Sequence, residues 1–340
     1  MKKILIIAPA WIGDAIMAQP LYRRLHARHP GLTLDVLAPA WTRAVHARMP
    51  EVSETFDNPF GHGELKLGAR WKLARELKQR RYDQAIVLPN SLKSALIPFF
   101  AGIPVRSGWV GEMRYGLLND ARVLDPQLLP MMVERFAALA EEASQPLQRP
   151  VPYPQLVVDA HSRQQALQEL GLDTAQPAIA FCPGAEYGPA KRWPAQHMAA
   201  LARELLAEGK QVWLFGSGKD AEVANEIASL APGCVNLCGK TSLGAAIDLL
   251  SATAAVVTND SGLMHMAAAL DRPIAAVYGS SSPQFTPPLS DRAKIVTLNL
   301  ECSPCFKRTC PLGHLNCLNN LGPERVKAAL AELIPDLIKA

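Results

Sequence analysis

One feature constrains this chain more than any other. Short apolar runs rich in Ile, Val and Leu alternate from end to end with longer stretches of helical period. The apolar runs fall at 4–7, 32–37, 85–88, 178–182, 211–215, 235–237, 254–258, 273–278 and 294–298, and helical patterns between them include 195–207, 220–230, 243–252 and 262–270. Strands buried on both faces read as continuous apolar runs, and the helices that carry the chain back cover those faces. The pattern therefore predicts an α/β protein with parallel, doubly wound sheets. No repeat of fixed 20–50-residue period accompanies it.

At 340 residues the chain exceeds what one core usually organises, so two domains are expected. The stretch "SQPLQRPVPYPQ" (144–155) carries four prolines in twelve residues, which stops helices and favours extended chain. It reads as a linker, giving domains over 1–160 and 161–322 and a terminal amphipathic helix within 323–340 that begins at the N1 proline Pro323. Two such domains are expected to face a central cleft at the carboxyl ends of their strands, where ligands bind in doubly wound folds.

Composition narrows the class. Charged residues make up 19% of the chain and no segment approaches the ~20 apolar residues of a spanning helix. The start "MKKILIIAPAWIGDA" imitates a signal peptide, but its apolar run is short and Asp14 comes soon after it. It is read as a buried first strand, and the protein as cytoplasmic. Residues 1–150 hold 20 Lys and Arg against 14 Asp and Glu, whereas residues 151–340 hold 15 against 17. The first half should meet the more anionic partner; no nucleic acid is expected.

The stretch "APAWIGDAIMAQP" (8–20) puts a Gly-Asp pair where the first strand turns into a helix. A second turn of the same kind, "VVTNDSGLMHMAAAL" (256–270), leads through Asp260, Ser261 and Gly262 into a helix of small residues. Backbone N–H groups at such a helix start favour an anion; the other reading makes Asp260 or Ser261 a helix cap. Two further loops leave neighbouring strand ends. "CPGAEYGPAKRWP" carries Lys191, and "FGSGKDAEV" carries Asp220, which is either an N-cap or an acceptor for the two hydroxyls of a ribose. Their convergence favours a nucleotide diphosphate ligand. Neither G-x-G-x-x-G after a strand nor the P-loop pattern occurs, which removes most support for dehydrogenase and P-loop readings. No Asp-x-Asp pair is available to hold a metal, so Lys191 and helix dipoles would neutralise a leaving diphosphate. The first loop has Trp11-Ile12-Gly13 and no nearby cation. A carboxylate there suits taking a proton from a hydroxyl better than holding phosphate, the alternative being an N-cap.

The blocks "WIGDAIMAQPLYR", "LPNSLKSALIPFFAGIPVRSGWVGEMRYGLLND", "FCPGAEYGPAKRWP", "LFGSGKD", "TNDSGLMHMAAALDRPIAAVYG" and "SSPQFTPPLS" resemble the heptosyltransferases of glycosyltransferase family nine, in order and over nearly the whole chain. The resemblance implies the GT-B fold, two Rossmann-like domains with the acceptor bound by the first and the donor by the second. It implies metal-independent, inverting transfer of L-glycero-D-manno-heptose from ADP-heptose to the first heptose of the lipopolysaccharide inner core, with no cofactor. By the same resemblance Asp14 is the base and Lys191 contacts the donor diphosphate. Asp220 holds the ribose, Thr241 contributes to the adenine pocket, and Asp260, Ser261, Gly262 and His265 lie on the diphosphate and near the heptose. His265 also reads as a packed core histidine. Beside Gly13, the first half offers Lys93, Arg106, Arg114 and Tyr115 to a phosphorylated acceptor, since arginine forks match anionic oxygens; each reads equally as a surface charge. The alternatives are another family-nine transferase, such as one acting a sugar earlier, and a non-catalytic sugar-nucleotide or lipid-binding protein.

Two segments stay open. Over 64–83, Leu67, Trp71, Ala74 and Leu77 share one helical face, with seven basic residues elsewhere. It reads as a solvated helix or as one attracted to an anionic membrane surface, such as the inner face of the inner membrane where a lipid A-anchored acceptor lies. "ECSPCFKRTCPLGHLNCL" spaces Cys302, Cys305, Cys310 and Cys317 as C-x2-C-x4-C-x6-C, open to structural zinc, reduced thiols, disulfides or an iron-sulfur arrangement. Cys182, Cys234 and Cys238 read as buried thiols.

Overall fold

The computed structural model describes residues 1–61 and 63–338. Two compact units divide between Pro154 and Gln155, inside the proline-rich stretch and six residues before the expected boundary. In the first unit, β1 (Lys3–Ile7), β2 (Thr33–Ala38), β3 (Glu54–Asp57), β4 (Gln84–Val87), β5 (Val105–Trp109) and β6 (Asp120–Arg122) form one parallel sheet in the order β3-β2-β1-β4-β5-β6. In the second, β7 (Ala178–Cys182), β8 (Gln211–Leu214), β9 (Val235–Asn236), β10 (Ala255–Asn259), β11 (Ile274–Val277) and β12 (Ala293–Val296) repeat the arrangement as β12-β11-β10-β7-β8-β9. Both are doubly wound. The strand order reverses between β1 and β4, where Ile7 pairs with Val87, and between β7 and β10, where Cys182 pairs with Thr258. Such a reversal opens a crevice beyond the carboxyl ends of the two strands, the usual ligand position of this topology.

The apolar runs form the sheet centres because both faces are covered. Ile4, Leu5, Ile6 and Ile7 are all essentially inaccessible, each contributing roughly 1.5–3 kcal/mol of burial. Three strands have no apolar signature. β3 (ETFD) is an exposed edge, β6 has three residues, and β5 (VRSGW) carries a buried serine and glycine. The Ser107 hydroxyl accepts from Gln84 Nε2 at 2.9 Å, and a Cβ on Gly108 would lie 2.9 Å from the Val87 carbonyl. Close backbone approach and a cross-strand hydrogen bond there replace apolar side chains.

The helix Leu67–Lys78 packs on a different face from the one its periodicity predicts. Ala74 and Leu77 are buried together with Arg70, while Leu67 and Trp71 stand half exposed. Arg70 takes an interior position because its guanidinium donates to the carbonyls of Leu65 (2.6 Å), Glu64 (3.0 Å) and Lys93 (3.2 Å) and lies over the Phe60 ring. The terminal helix runs from Pro323 to Leu333 and is no separate element. Val326, Ala329, Leu330 and Ala331 pack into the core of the second unit. Residues 339 and 340 of the expected terminal segment lie outside the described residues. No helix among the described residues is long and apolar enough to cross a membrane.

Candidate active site

In the second unit the site is built on the ends of β7 and β10. Asn259, the last residue of β10, accepts from Trp193 N–H at 3.0 Å and donates to the Pro183 carbonyl at 2.8 Å, fastening the long loop after β7 to the neighbouring strand. That loop delivers Lys191, whose ammonium donates to Asp260 Oδ2 at 2.5 Å. Asp260 is thus a partner of the lysine, and no side chain caps the helix Gly262–Ala269, for which Ser261 is the N-cap residue. Both capping readings give way. An uncapped start carries the positive end of the helix dipole into the region of Lys191, which is the composition of an anion site.

His265, one turn into this helix, is buried. Burial pushes its imidazole down to about 4, against an upward pull from the Asp260 carboxylate and with a smaller push in the same direction from Lys191. It is neutral at physiological pH, so it can offer a hydrogen bond but not a positive charge.

Asp220 follows β8. Its carboxylate accepts from Ser217 N–H (2.9 Å) and Ser217 Oγ (2.8 Å), closing the turn that starts the helix Ala221–Leu230. Asp220 is the N-cap residue of that helix by position, but its side chain makes no cap hydrogen bond into it and instead reaches back to Ser217. The carboxylate also faces the loop after β7, for a Cβ on Gly184 would fall 2.4 Å from Asp220 Oδ1. Thr241 lies in the turn after β9, directly before Ser242, which caps the helix Leu243–Leu250 by accepting from Ala245 N–H at 3.1 Å. β7, β8, β9 and β10 together bring the ends carrying Lys191, Asp220, Thr241 and Asp260 to one edge of one sheet.

In the first unit a cavity of about 680 Å³ opens beyond the ends of β1, β2, β4 and β5. Asp14 and Lys93 line it, with Trp11, Trp41, Glu112 and Arg135. Gly13 lies beside Asp14 in the first turn of the helix Ile12–Met17. Arg106, Arg114 and Tyr115 are not in its wall. Arg106 donates to the carbonyls of Leu117 (2.6 Å) and Ile103 (2.7 Å). Arg114 is buried and donates to Pro89 O (2.5 Å), Trp109 O (3.1 Å) and Asn90 Oδ1 (3.2 Å). Burial holds its guanidinium down to about 10, and its hydrogen bonds pin the loops after β4 and β5. Tyr115 is 70% exposed. Sequence reasoning missed Trp41, which is half exposed at the cavity with its indole N–H donated to Ala10 O at 2.8 Å. A lone tryptophan after a strand carries no pattern that would single it out.

Cys302, Cys305, Cys310 and Cys317 come together with His314 around a small cavity of about 30 Å³ that also touches Ala190. All seven cysteines are free thiols. No three His, Cys, Asp or Glu side chains among the described residues are arranged to hold a metal ion, which leaves the zinc and iron-sulfur readings of the cluster without support. Cys182 and Cys238 are buried as read, whereas Cys234 is only half-buried; burial raises the Cys238 thiol to about 12 and Cys234 to about 11.

Two doubly wound parallel units, each opening a crevice beyond its strand ends, have the architecture of nucleotide-binding α/β proteins. Residues 70–316 match the family model for glycosyltransferase family 9 (heptosyltransferase), and the chain belongs to that family and has its GT-B fold. It is 51% identical to lipopolysaccharide heptosyltransferase 2 of Escherichia coli, covering 98% of each chain, and 48% identical to lipooligosaccharide heptosyltransferase 2 of Haemophilus influenzae, covering 97% and 99%. The solved structure of E. coli ADP-heptose lps heptosyltransferase II superposes with a TM-score of 0.90 over 99% of both chains at 48% identity.

Proposed function

We propose that this glycosyltransferase moves L-glycero-D-manno-heptose from ADP-heptose to the first heptose of the lipopolysaccharide inner core, with inversion. The observation that carries the reading is the Lys191–Asp260 pair beside the uncapped start of the helix Gly262–Ala269. As the anomeric C–O bond breaks, negative charge grows on the departing ADP. Lys191 and the backbone N–H groups at Ser261-Gly262 meet that charge, so their interaction strengthens in the transition state and lowers the barrier. Asp220 and Thr241 hold the nucleoside end, with His265 near the sugar. Asp14 accepts the proton of the acceptor hydroxyl as it attacks the anomeric carbon from the opposite face. Lys93 meets the anionic groups of the acceptor, with Gly13 letting it approach the backbone.

The test is mass spectrometry of defined acceptors, with and without the first heptose, incubated with ADP-heptose. Addition of one heptose only to the heptose-bearing acceptor supports the reading; addition only to the shorter acceptor makes this the preceding transferase of the pathway, and addition to neither removes the activity.

Peripheral association with an anionic inner-membrane surface is part of the proposal. Leu65, Leu67 and Trp71 are half exposed among Lys66, Lys72 and Arg75, an apolar and basic patch of the kind that binds acidic lipid headgroups. Co-sedimentation with vesicles containing anionic lipid, lost in Trp71→Glu, tests it; sedimentation equal for both proteins contradicts it.

A further inference from the structure

The cysteine-bearing segment has no part in the chemistry above, yet it reaches the lysine that does. Tyr187 stands between them. Its hydroxyl donates to the Phe306 carbonyl at 2.8 Å, the Lys191 ammonium lies 5.1 Å from its ring centroid, and the Arg308 guanidinium lies 5.4 Å from the same centroid. Ala190 N–H donates to the Arg308 carbonyl at 3.0 Å, and a Cβ on Gly188 would fall 2.5 Å from that oxygen, so the two backbones touch. The segment is tied down in turn, since Phe306 N–H donates to Ser280 O at 2.7 Å and Ser303 Oγ to Gly279 O at 2.5 Å, both just beyond β11.

We propose that Tyr187 is a positioning residue for Lys191 and that residues 301–318 are the support that holds Tyr187 in place. The proposal rests on the assignment of Lys191 to the donor diphosphate. A lysine ammonium is a point charge on a flexible stem, and fixing it costs rotamer entropy that a ring face and a carboxylate can lower in advance. Asp260 holds Lys191 on one side and Tyr187 on another. Arg308 lies over the same ring and ties it to the cysteine-bearing segment.

A double-mutant cycle tests this by calorimetric titration with ADP. Tyr187→Leu should weaken ADP by about fivefold in the otherwise native protein, the scale of a partly desolvated cation–π contact. Tyr187→Phe, which keeps the ring and loses the Phe306 hydrogen bond, should fall between the two and stays informative if the leucine variant does not fold. In a Lys191→Ala background, Tyr187→Leu should change affinity by less than about twofold. An equal loss in both backgrounds, or none in the native background, overturns the proposal. ADP binding unaffected by Lys191→Ala would instead overturn the donor-site reading beneath it.

Discussion

The Lys191 ammonium and the Asp260 carboxylate meet at 2.5 Å, with their side chains 17% and 4% exposed. They come from loops 69 residues apart in sequence, joined by the Asn259 hydrogen bonds. A pair this enclosed is balanced in charge only while both members are present. Lys191→Met should therefore lower unfolding free energy by about 2–3 kcal/mol, somewhat less than for a fully buried pair because water reaches the lysine. Urea denaturation measures it, and unchanged stability would mean that Asp260 is compensated from elsewhere.

Two buried histidines make the fold sensitive to acid. His46 and His265 both sit at about 4, held down chiefly by burial. The unfolded chain protonates them at about 6.5, whereas the folded chain keeps them neutral, so below that pH the unfolded state binds more protons. Stability should be at its plateau above pH ~6.5 and fall as pH drops toward ~4, by up to about 3 kcal/mol for each group. Both ring nitrogens of His46 are buried with no hydrogen-bond partner among the described residues. His46→Leu should remove its share of the slope in urea titrations across this range; an unaltered slope would locate the acid sensitivity elsewhere.

Arg70 and Arg114 act as interior clamps, each donating to three or more main-chain or amide oxygens. Alanine at either should cost about 2–4 kcal/mol, because carbonyls lose their donors inside the fold. Lysine should not rescue Arg114, since one ammonium cannot span the same oxygens. Chemical denaturation compares the variants, and a fully stable Arg114→Lys would contradict the clamp.

Much of the architecture is legible in the sequence because the central strands are buried on both faces. The runs at 4–7 and 178–182 lie on β1 and β7, and the helical pattern at 195–207 matches its helix end to end. β3, β5 and β6 are not legible, because an edge strand, a glycine packed on a carbonyl and a three-residue pairing leave no apolar period. At the site, loop positions were legible from strand-end glycines and charges, but the use of each side chain was not. Arg114 reads as a surface fork and is a buried clamp; Tyr187 carries no signal of its own and lies against Lys191. The partners that fix these side chains are remote in sequence, Pro89 for Arg114 and Phe306 for Tyr187, and no local spacing encodes them.

The proposed role of Lys191 and the helix N–H groups at the diphosphate predicts transfer that does not depend on a divalent ion. The initial rate in excess EDTA should stay within about twofold of the untreated rate. Loss of activity on chelation, restored by a single added metal, would contradict this account of leaving-group stabilisation.

The central claim is a division of labour, with the second unit holding the diphosphate and Asp14 of the first taking the acceptor proton. Its most direct test is one set of measurements on two variants, ADP affinity by calorimetry and heptose transfer by mass spectrometry. Asp14→Ala should bind ADP as the native protein does and lose transfer by at least ~100-fold, the scale of a missing general base. Lys191→Ala should bind ADP at least ~10-fold more weakly, the scale of a lost charge-assisted contact. Native-rate transfer by Asp14→Ala, or native ADP affinity in Lys191→Ala, would contradict it.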